Sequence, residues 1–355
     1  MTRMQFDSSA LLGKRLRPFL KTAIFSLFAS LILGIYILPL SYMFITAFKD
    51  LAVSRDPYAP ILWPAKTATY EFEGESYPIY EVPLDDGLQP LALVKKGREQ
   101  SQFVDPNNPE AGLITWNGRW RTIDADYQFA PKWENFVTAW GRGNIIRALR
   151  NTSILMLFGL VGTVGSSVAV AYGFSRFHIP GDKLIFAVLI GTLFIPRELL
   201  SIPLYQFYQD LGWLSTLLPL IVPQFFANAL YIFLLRQYFR TLPIELDEAA
   251  MIDGANPLRI LWSVIIPQSI PIIATVALLQ FFFIWKDFYQ PLLYLTGNRE
   301  LLPIALSIYQ ITPNLGPDVT VVMAGALLIL IIPALVFLFT HRYILQAASV
   351  LGVRK

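Results

Sequence analysis

The sequence predicts an all-α membrane protein with six transmembrane helices, both termini in the cytoplasm, and a small β-rich extracytoplasmic insertion between helices 1 and 2. Of its 355 residues, 55% are hydrophobic and only 15% are charged, whereas a water-facing protein carries about 25% charged residues. This balance excludes a disordered chain, and it lacks the strong basic excess of a nucleic-acid-binding protein. The absence of cysteine excludes disulfides and cysteine-ligated metals.

Six stretches are apolar enough to cross a membrane, which takes about 20 residues. Five contain no Asp, Glu, Lys or Arg: 22–48, 151–175, 211–235, 260–285 and 319–341. The sixth, 184–209, carries Arg197 and Glu198 near its middle. Proline is expected to break spans three to six, which suits helices that line a cavity. The prolines concerned are Pro196, Pro203, Pro219, Pro223, Pro267, Pro271 and Pro333.

Lys and Arg in the short flanking segments set the orientation, because positive charge resists translocation. They are concentrated before span one and after spans two, four and six. Residues 1–21 and 342–355 are therefore expected in the cytoplasm. Residues 22–48 form helix 1, and residues 151–341 form helices 2 to 6 of a multi-pass protein of the cytoplasmic (inner) membrane.

Residues 49–150 are expected to form the extracytoplasmic insertion. Polar and apolar residues alternate over 69–82 on both sides of Gly74, which predicts one β-hairpin. Asn117-Gly118 between Trp116 and Trp120 predicts a second hairpin. The location of the insertion and this pair of tryptophans are compatible equally with contact to another extracytoplasmic protein and with a stabilising cap.

Small residues recur in span two at helical spacing. They are Gly159, Gly162, Ser166, Ala169 and Gly173. Such a stripe lets a neighbouring backbone approach closely. Packing within the chain is favoured over a subunit interface.

The segment 241–260, between spans four and five, is predicted to form two short helices. Thr241 is expected to cap the first, Gly254 to end it, and Asn256-Pro257 to start the second. Four acidic residues stand among small and apolar ones: Glu245, Asp247, Glu248 and Asp253. A solvated connector and a docking site for a cytoplasmic partner are both compatible with this composition.

The same segment resembles a known motif. Glu248-Ala249-Ala250, three residues, Gly254, nine residues and Val264-Ile-Ile-Pro267 are similar to the EAA motif of binding-protein-dependent ABC importer permeases. The surrounding sequence resembles the carbohydrate-uptake family, in particular its maltose-type second permease subunit. The resemblance extends over roughly residues 15 to 50 and 130 to 355, and leaves out most of the insertion.

The resemblance implies a permease subunit of an ATP-driven, solute-binding-protein-dependent importer for sugars or oligosaccharides, which is not an enzyme. In this family the loop, here 241–267, sits in a cleft of a separate ATPase subunit. The residues assigned to ATPase coupling are Glu245, Glu248, Ala249, Ala250, Asp253, Gly254 and Pro267. Implied partners are a second permease subunit, two copies of the ATPase and an extracytoplasmic solute-binding protein, in membrane lipid and without nucleic acid.

ATP and Mg²⁺ are expected on the partner ATPase, with no cofactor or metal on this chain. The sequence contains no Gly-x4-Gly-Lys-Ser/Thr phosphate loop. The alternatives are a gradient-driven secondary transporter, a membrane-embedded enzyme, or an importer permease for another solute such as a glycerol phosphate ester. A secondary transporter needs titratable or cation-coordinating groups at the midplane of several spans, and only Arg197 and Glu198 are available there.

Ionisable residues in or beside the spans are the candidates for the translocation pathway. They are Arg197, Glu198, Lys286 and Asp287. Arg197 is first interpreted as an outer-leaflet residue that extends to the interface, with the pathway role as the alternative. The resemblance further suggests that a loop between spans five and six reaches toward the receptor. Its residues are Thr312, Pro313, Asn314, Leu315 and Gly316.

Overall fold

The computed structural model describes residues 8–84, 87–311 and 318–352. The chain forms two compact units, Met1–Val137 with Asp318–Leu327 and Thr138–Pro317 with Leu328–Lys355. Most of the described residues are helical, and all of the described strands belong to the first unit.

The first unit begins with a long helix, α1 (Ser8–Ala47), and a single-turn helix, α2 (Leu51–Ser54). The described strands are β1 (Ala65–Thr67), β2 (Thr69–Phe72), β3 (Glu75–Leu84), β4 (Gly87–Lys95), β5 (Gln100–Val104), β6 (Ile114–Asn117) and β7 (Tyr127–Phe129). Strands β2 to β6 form one antiparallel sheet in chain order, and β1 pairs with β7. Val82, Leu91, Leu93 and Phe103 form the buried core of the sheet.

The first predicted hairpin is confirmed and the second is wrong. Strands β2 and β3 pair across Glu73 and Gly74, whose φ angles of 51° and 83° are those of a type I′ turn. Neither Asn117 nor Gly118 has a positive φ, so they cannot form that turn. Strand β6 pairs with β5 instead, and the chain after Gly118 forms a 3-10 turn at Trp120–Thr122.

The remaining described helices follow in chain order. They are α3 (Glu134–Arg142), α4 (Ile145–Gly159), α5 (Gly165–Arg176), α6 (Asp182–Gly191), α7 (Ser201–Asp210), α8 (Leu218–Ile221), α9 (Ala229–Phe239), α10 (Glu245–Ile252), α11 (Pro257–Ile260), α12 (Ile266–Gln268), α13 (Ile270–Lys286), α14 (Tyr289–Tyr294), α15 (Ile304–Ile311) and α16 (Val319–Gly352). Single π-helical turns join α4 to α5 and α11 to α12.

Among the described residues, four helices are long and apolar enough to cross a membrane: Lys21–Ala47, Ile145–Arg176, Leu218–Phe239 and Val319–Tyr343. Two further spans exist only as bent pairs: Asp182–Phe194 with Arg197–Asp210, bent by 89°, and Pro257–Gln268 with Ile270–Lys286, bent by 84°. The described residues therefore contain four to six candidate spans, judged by length and composition. The predicted windows 184–209 and 260–285 are not straight helices.

Proline accounts for both bends, because it removes a backbone donor and clashes with the preceding turn. Pro196 has an extended ψ of 129° between the halves of the first pair, and Pro271 lies at the start of α13 in the second. The expectation that proline would interrupt the last span is wrong, because Pro333 lies inside α16 without ending it.

Packing in the second unit is centred on α5, α9 and α13, whose buried side chains form one cluster. The stripe of small residues contributes to the packing within this unit at two positions. Gly159 lies against the side chains of Ile284 and Gln280, and a Cβ atom at Gly162 would stand 2.8 Å from the carbonyl oxygen of Gln224. Packing within the chain is confirmed for these two glycines, whereas a Cβ atom at Gly173 would meet open space.

Candidate functional site

The segment between α9 and α13 contains the two short helices that the sequence predicts, α10 and α11. Gly254 ends α10 in the left-handed region with a φ of 78°, which favours glycine. The N–H of Gly254 donates to the carbonyl of Met251 at 3.0 Å, and that of Ala255 donates to the carbonyl of Ala250 at 2.9 Å. These two bonds form a Schellman motif, which fixes the direction in which the chain leaves the helix.

The predicted start of α11 is confirmed, but the predicted cap of α10 is wrong. The Oδ1 atom of Asn256 accepts a hydrogen bond from the N–H of Arg259 at 2.8 Å, and Pro257 is the first helical residue. The hydroxyl of Thr241 instead donates to the carbonyl of Tyr238 at 2.7 Å, at the end of α9. Helix α10 begins at Glu245 without a side-chain cap, so its first N–H groups depend on other partners.

Acidic and apolar side chains lie next to each other on what we call the outer face of α10, formed by Glu245, Glu248, Ala249, Met251 and Ile252. All five are exposed, and Ile252 is 87% accessible to solvent. The other large exposed apolar side chains of the loop are Ile244, Leu246, Leu258 and Trp262. A group of exposed apolar residues bordered by charge is typical of a protein-binding surface.

The remaining predicted coupling residues surround this face. Asp253 and Gly254 are exposed beyond the end of α10, and Ala250 is half-buried. Pro267 is exposed on α12, just before the bend that separates α12 from α13. The structure therefore brings the EAA residues together on one short helix and its exit, and leaves most of their side chains uncovered in this chain.

The inner side of α10 is fixed by a buried ion pair. The Oδ2 atom of Asp247 lies 2.8 Å from Nε of Arg176, the last residue of α5, and the two side chains are only 1% and 7% exposed. The Nη2 atom of Arg176 also donates to the carbonyl of Leu242 at 3.3 Å. One guanidinium thus joins the end of α5 to both the loop before α10 and α10 itself.

The role of Asp247 was not found from the sequence, where it counted only as one of four acidic residues. A signal was present, since successive helical residues point about 100° apart, so Asp247 cannot share the direction of Glu248. Removing one partner of a buried ion pair costs about 3–5 kcal/mol because the other charge stays buried and unpaired. Asp247 is therefore an anchoring residue rather than part of the outer face.

Three of the four predicted pathway residues line one cavity of about 350 Å³: Arg197, Glu198 and Asp287. Arg197 directly follows the break at Pro196, and its guanidinium carbon lies 4.5 Å from the ring centroid of Phe283. Tyr289 also lines the cavity, and its hydroxyl donates to Oγ of Ser201 at 3.1 Å. Cationic, anionic, hydroxyl and aromatic groups thus meet where the bent helix pair passes the end of α13.

Two groups of predicted residues stand apart from this cavity. Lys286 is exposed and does not line it. Thr312, Pro313, Asn314, Leu315 and Gly316 lie outside the described residues. Within the described part of the chain, no cluster of three or more His, Asp or Glu side chains is placed to hold a metal ion.

Comparison with known proteins agrees with the motif. Residues 152–345 match the family described as "Binding-protein-dependent transport system inner membrane component". The chain is 26% identical over 270 residues to the osmoprotective compounds uptake permease protein GgtD of Synechocystis sp., covering 75% of this chain and 90% of that protein. It is 33% identical over 205 residues to the trehalose/maltose transport system permease protein MalG of Thermococcus litoralis, covering 57% of this chain and 73% of that protein.

Among solved structures, the chain is similar to one from a bacterial alginate ABC transporter in complex with an alginate pentasaccharide-bound periplasmic protein. The sequence identity is 16% and the TM-score is 0.48, over 61% of this chain and 82% of that chain.

The family match extends over more than half of the chain and includes the whole loop from 241 to 267. The resemblance stated from the EAA motif is thereby confirmed, and so is the expectation of a transport permease rather than an enzyme. The chain belongs to the inner membrane components of binding-protein-dependent transport systems, as a permease of the carbohydrate-uptake family of ABC importers.

Proposed function

We propose that this permease couples sugar uptake to ATP hydrolysis in a partner ATPase through the outer face of α10. The observation that carries the proposal is the contrast between the two sides of that helix. Its outer face presents Glu248 and Ile252 to solvent, and its inner side is fixed to α5 by the buried pair of Asp247 and Arg176. A docking helix must be both accessible to its partner and rigidly attached to the part that it moves.

The mechanism follows from that attachment. When a partner subunit is bound to the outer face, its motion displaces α10. The Arg176 guanidinium, which contacts both α10 and the loop before it, then displaces the end of α5. The close packing of α5 on α9, and of α9 on α13, then spreads the motion through the second unit, because packed interiors transmit strain. ATP and Mg²⁺ bind the partner in this scheme, since this sequence contains no phosphate loop.

The proposed topology counts each bent pair as one span, which gives six. Residues 1–21 and 342–355 are then cytoplasmic, residues 49–150 form the extracytoplasmic insertion, and 241–267 is a cytoplasmic loop. The distribution of Lys and Arg supports this orientation.

The proposed assembly contains a second permease subunit, two copies of the ATPase and an extracytoplasmic solute-binding protein. Two surfaces suit contact with the second permease or with lipid. Residues 21–40 of α1 are exposed throughout, and α5 has an exposed Ala169 and open space beside Gly173.

The cavity lined by Arg197, Glu198 and Asp287 is the proposed section of the translocation pathway within this subunit. Its hydroxyl and charged groups can exchange hydrogen bonds with a polyhydroxylated solute. The name of the Thermococcus relative supports a sugar or oligosaccharide as the solute. Competition of labelled maltose uptake by unlabelled disaccharides tests this, and competition by a glycerol phosphate ester instead would contradict it.

Charge reversal at Glu248 tests the coupling. We expect Glu248→Lys to lower ATP-driven uptake in reconstituted vesicles by about tenfold or more, because a misplaced charge at an interface costs several kcal/mol. Affinity for the loaded solute-binding protein should not change. Glu110→Lys is the matched control, since Glu110 is an exposed carboxylate of the insertion. Normal uptake by the Glu248 variant would contradict the proposal.

A further inference from the structure

The first unit contains a cavity that the permease function does not use. It has a volume of about 520 Å³ and lies between the end of α2, strand β3 and the 3-10 turn at Trp120–Thr122. This is the size of cavities that hold small organic ligands, about 300–1,000 Å³. All of its lining residues fall between Ala52 and Ile123, outside the matched family region 152–345.

Positive charge predominates in the cavity. Arg55, Lys96 and Arg121 line it and are exposed, and no ion pair among the described residues includes any of the three. The one carboxylate in the lining, Asp56, accepts a hydrogen bond from the N–H of Tyr58 at 2.9 Å on Oδ1. Its Oδ2 atom accepts another from the Tyr127 hydroxyl at 2.7 Å. Three unpaired cations beside one fixed carboxylate attract an anion.

Aromatic rings form much of the remaining wall. Trp120 lies edge-on to Tyr80 with ring centroids 5.9 Å apart, and Tyr58 is 63% exposed. The Nζ atom of Lys96 and the guanidinium carbon of Arg121 lie 5.4 Å and 4.8 Å from the Trp120 ring centroid. Burial, and then the charge of Asp56, raise the pKa of Tyr80, so its hydroxyl remains a donor at neutral pH.

We propose that this cavity binds a saccharide that carries an anionic group. Arg121, Lys96 and Arg55 suit a carboxylate or phosphate, because a guanidinium binds such groups through paired hydrogen bonds. The Tyr80 hydroxyl and the free lone pairs of Asp56 suit sugar hydroxyls. The exposed ring of Tyr58 suits the apolar C–H face of a pyranose, and the Trp120 ring positions the two cations that lie over it. An inorganic anion uses only the first set of groups, and a neutral sugar uses only the other two.

This site is separate from the coupling proposed above, since none of its residues belongs to α10 or to the cavity beside Arg197. Binding can be measured without nucleotide, ATPase or solute-binding protein. A failure here therefore leaves the coupling proposal intact, and a failure of the coupling proposal leaves this site intact.

The experiment is titration calorimetry of the full-length permease in lipid nanodiscs with glucuronate, glucose and inorganic phosphate. We expect saturable binding of glucuronate, with glucose and phosphate at least about tenfold weaker, because glucose lacks one of the three sets of contacts and phosphate lacks two. A tenfold difference corresponds to about 1.4 kcal/mol. The test variants are Lys96→Gln and Arg121→Gln, which should each weaken glucuronate binding about tenfold.

Matched controls lie one and two positions away. Lys95 and Arg119 are exposed and do not line the cavity, so Lys95→Gln and Arg119→Gln should retain wild-type affinity. All four side chains are exposed, and thermal unfolding checks that each variant is folded. No binding of glucuronate, equal binding of phosphate, or equal weakening by the control substitutions would each overturn the proposal. The solute-binding protein is the alternative ligand. If it binds the permease more tightly than glucuronate does, and if Lys96→Gln and Arg121→Gln abolish that binding, the cavity binds a protein and the saccharide proposal is overturned.

Discussion

The loop at α10 and the insertion both place charged side chains beside apolar surface, but they differ in whether those charges are buried in an ion pair. In the loop, Asp247 is 1% exposed and pairs with Arg176 at the end of α5, which is 7% exposed. In the insertion, Arg55, Lys96 and Arg121 are exposed and take part in none of the described ion pairs. A buried pair fixes the position of two helices, whereas unpaired exposed cations remain available to a ligand. This difference is the basis for proposing that α10 transmits force and that the insertion binds a ligand.

The largest expected effect is on the buried pair. Arg176→Ala leaves the Asp247 carboxylate buried and unpaired, which costs about 3–5 kcal/mol. We expect a lower midpoint temperature of unfolding in detergent and loss of ATP-driven uptake. The double variant Arg176→Met with Asp247→Leu should recover most of the stability, because the buried charge is gone.

Arg240→Ala is the control for this prediction, since Arg240 is exposed in the same unit. An Arg176→Ala protein as stable as the Arg240→Ala protein would show that the pair does not fix α10. Recovery of uptake in the double variant would show that apolar packing can replace the ion pair in transmission.

The second effect concerns the exit of α10 at Gly254. A Cβ atom there meets nothing within 4 Å, but φ is +78°, so Gly254→Ala is strained by the backbone alone, by about 1–2 kcal/mol. We expect a lower unfolding midpoint together with reduced uptake. Gly165→Ala is the matched control, because its surroundings are equally open and its φ is −60°, where alanine is stabilising in a helix. Equal changes in both variants would contradict the role of the left-handed turn.

The third effect is at the start of α11. Asn256→Ala removes the side-chain acceptor for the N–H of Arg259, and loss of such a cap costs about 1 kcal/mol. Asn256→Asp keeps an acceptor and should behave as wild type in thermal unfolding. If the two variants lose equal stability, the cap is not the reason that α11 begins at this point.

The smallest effect is expected for the partly exposed pair in the first unit, Asp50 with Lys132 at 2.6 Å. Burial raises the pKa of Asp50, but the hydrogen bonds from Lys132 and the Ala52 N–H, with the charges of Lys132 and Lys66, lower it overall. Because the folded pKa is below the usual 3.8, the ionised carboxylate stabilises the fold above that pH. The contribution is lost as the pH falls through the folded pKa.

Asp50→Asn tests this pair because asparagine can still cap α2 but carries no charge. We expect the wild type to exceed the variant by at most about 1 kcal/mol at pH 7. The difference should shrink as the pH falls to about 3. A difference that is the same at both pH values would contradict an electrostatic origin.

The parts of the site that could be predicted from sequence are those that depend on local chemistry. Gly254 and Asn256-Pro257 were placed correctly because a left-handed exit and a proline start depend on a few neighbouring residues. The hairpin turn at Glu73-Gly74 was predicted correctly for the same reason. Asn117-Gly118 has the same signature but failed, because strand β6 found its partner in β5, a pairing set by the whole sheet.

The features that the sequence could not give depend on contacts between distant residues. The burial of Asp247 requires Arg176, which lies on another helix. Thr241 was available as a cap for α10 but its hydroxyl bonds Tyr238 at the end of α9. The bends at Pro196 and before Pro271 were expected as interruptions, but their angles of 89° and 84° depend on how the neighbouring helices pack.

Cysteine cross-linking tests the central claim most directly, because the chain contains no cysteine of its own and each introduced residue reports a single position. Ile252 is 87% exposed on the outer face of α10, and Tyr58 is 63% exposed in the insertion. Ile252→Cys is therefore the test variant, and Tyr58→Cys is the control. In the assembled importer, a bifunctional thiol reagent should join the Ile252 variant, and not the Tyr58 variant, to a cysteine on the ATPase. Absence of that product, with Ile252→Cys labelled from outside the membrane by an impermeant reagent, would contradict the account.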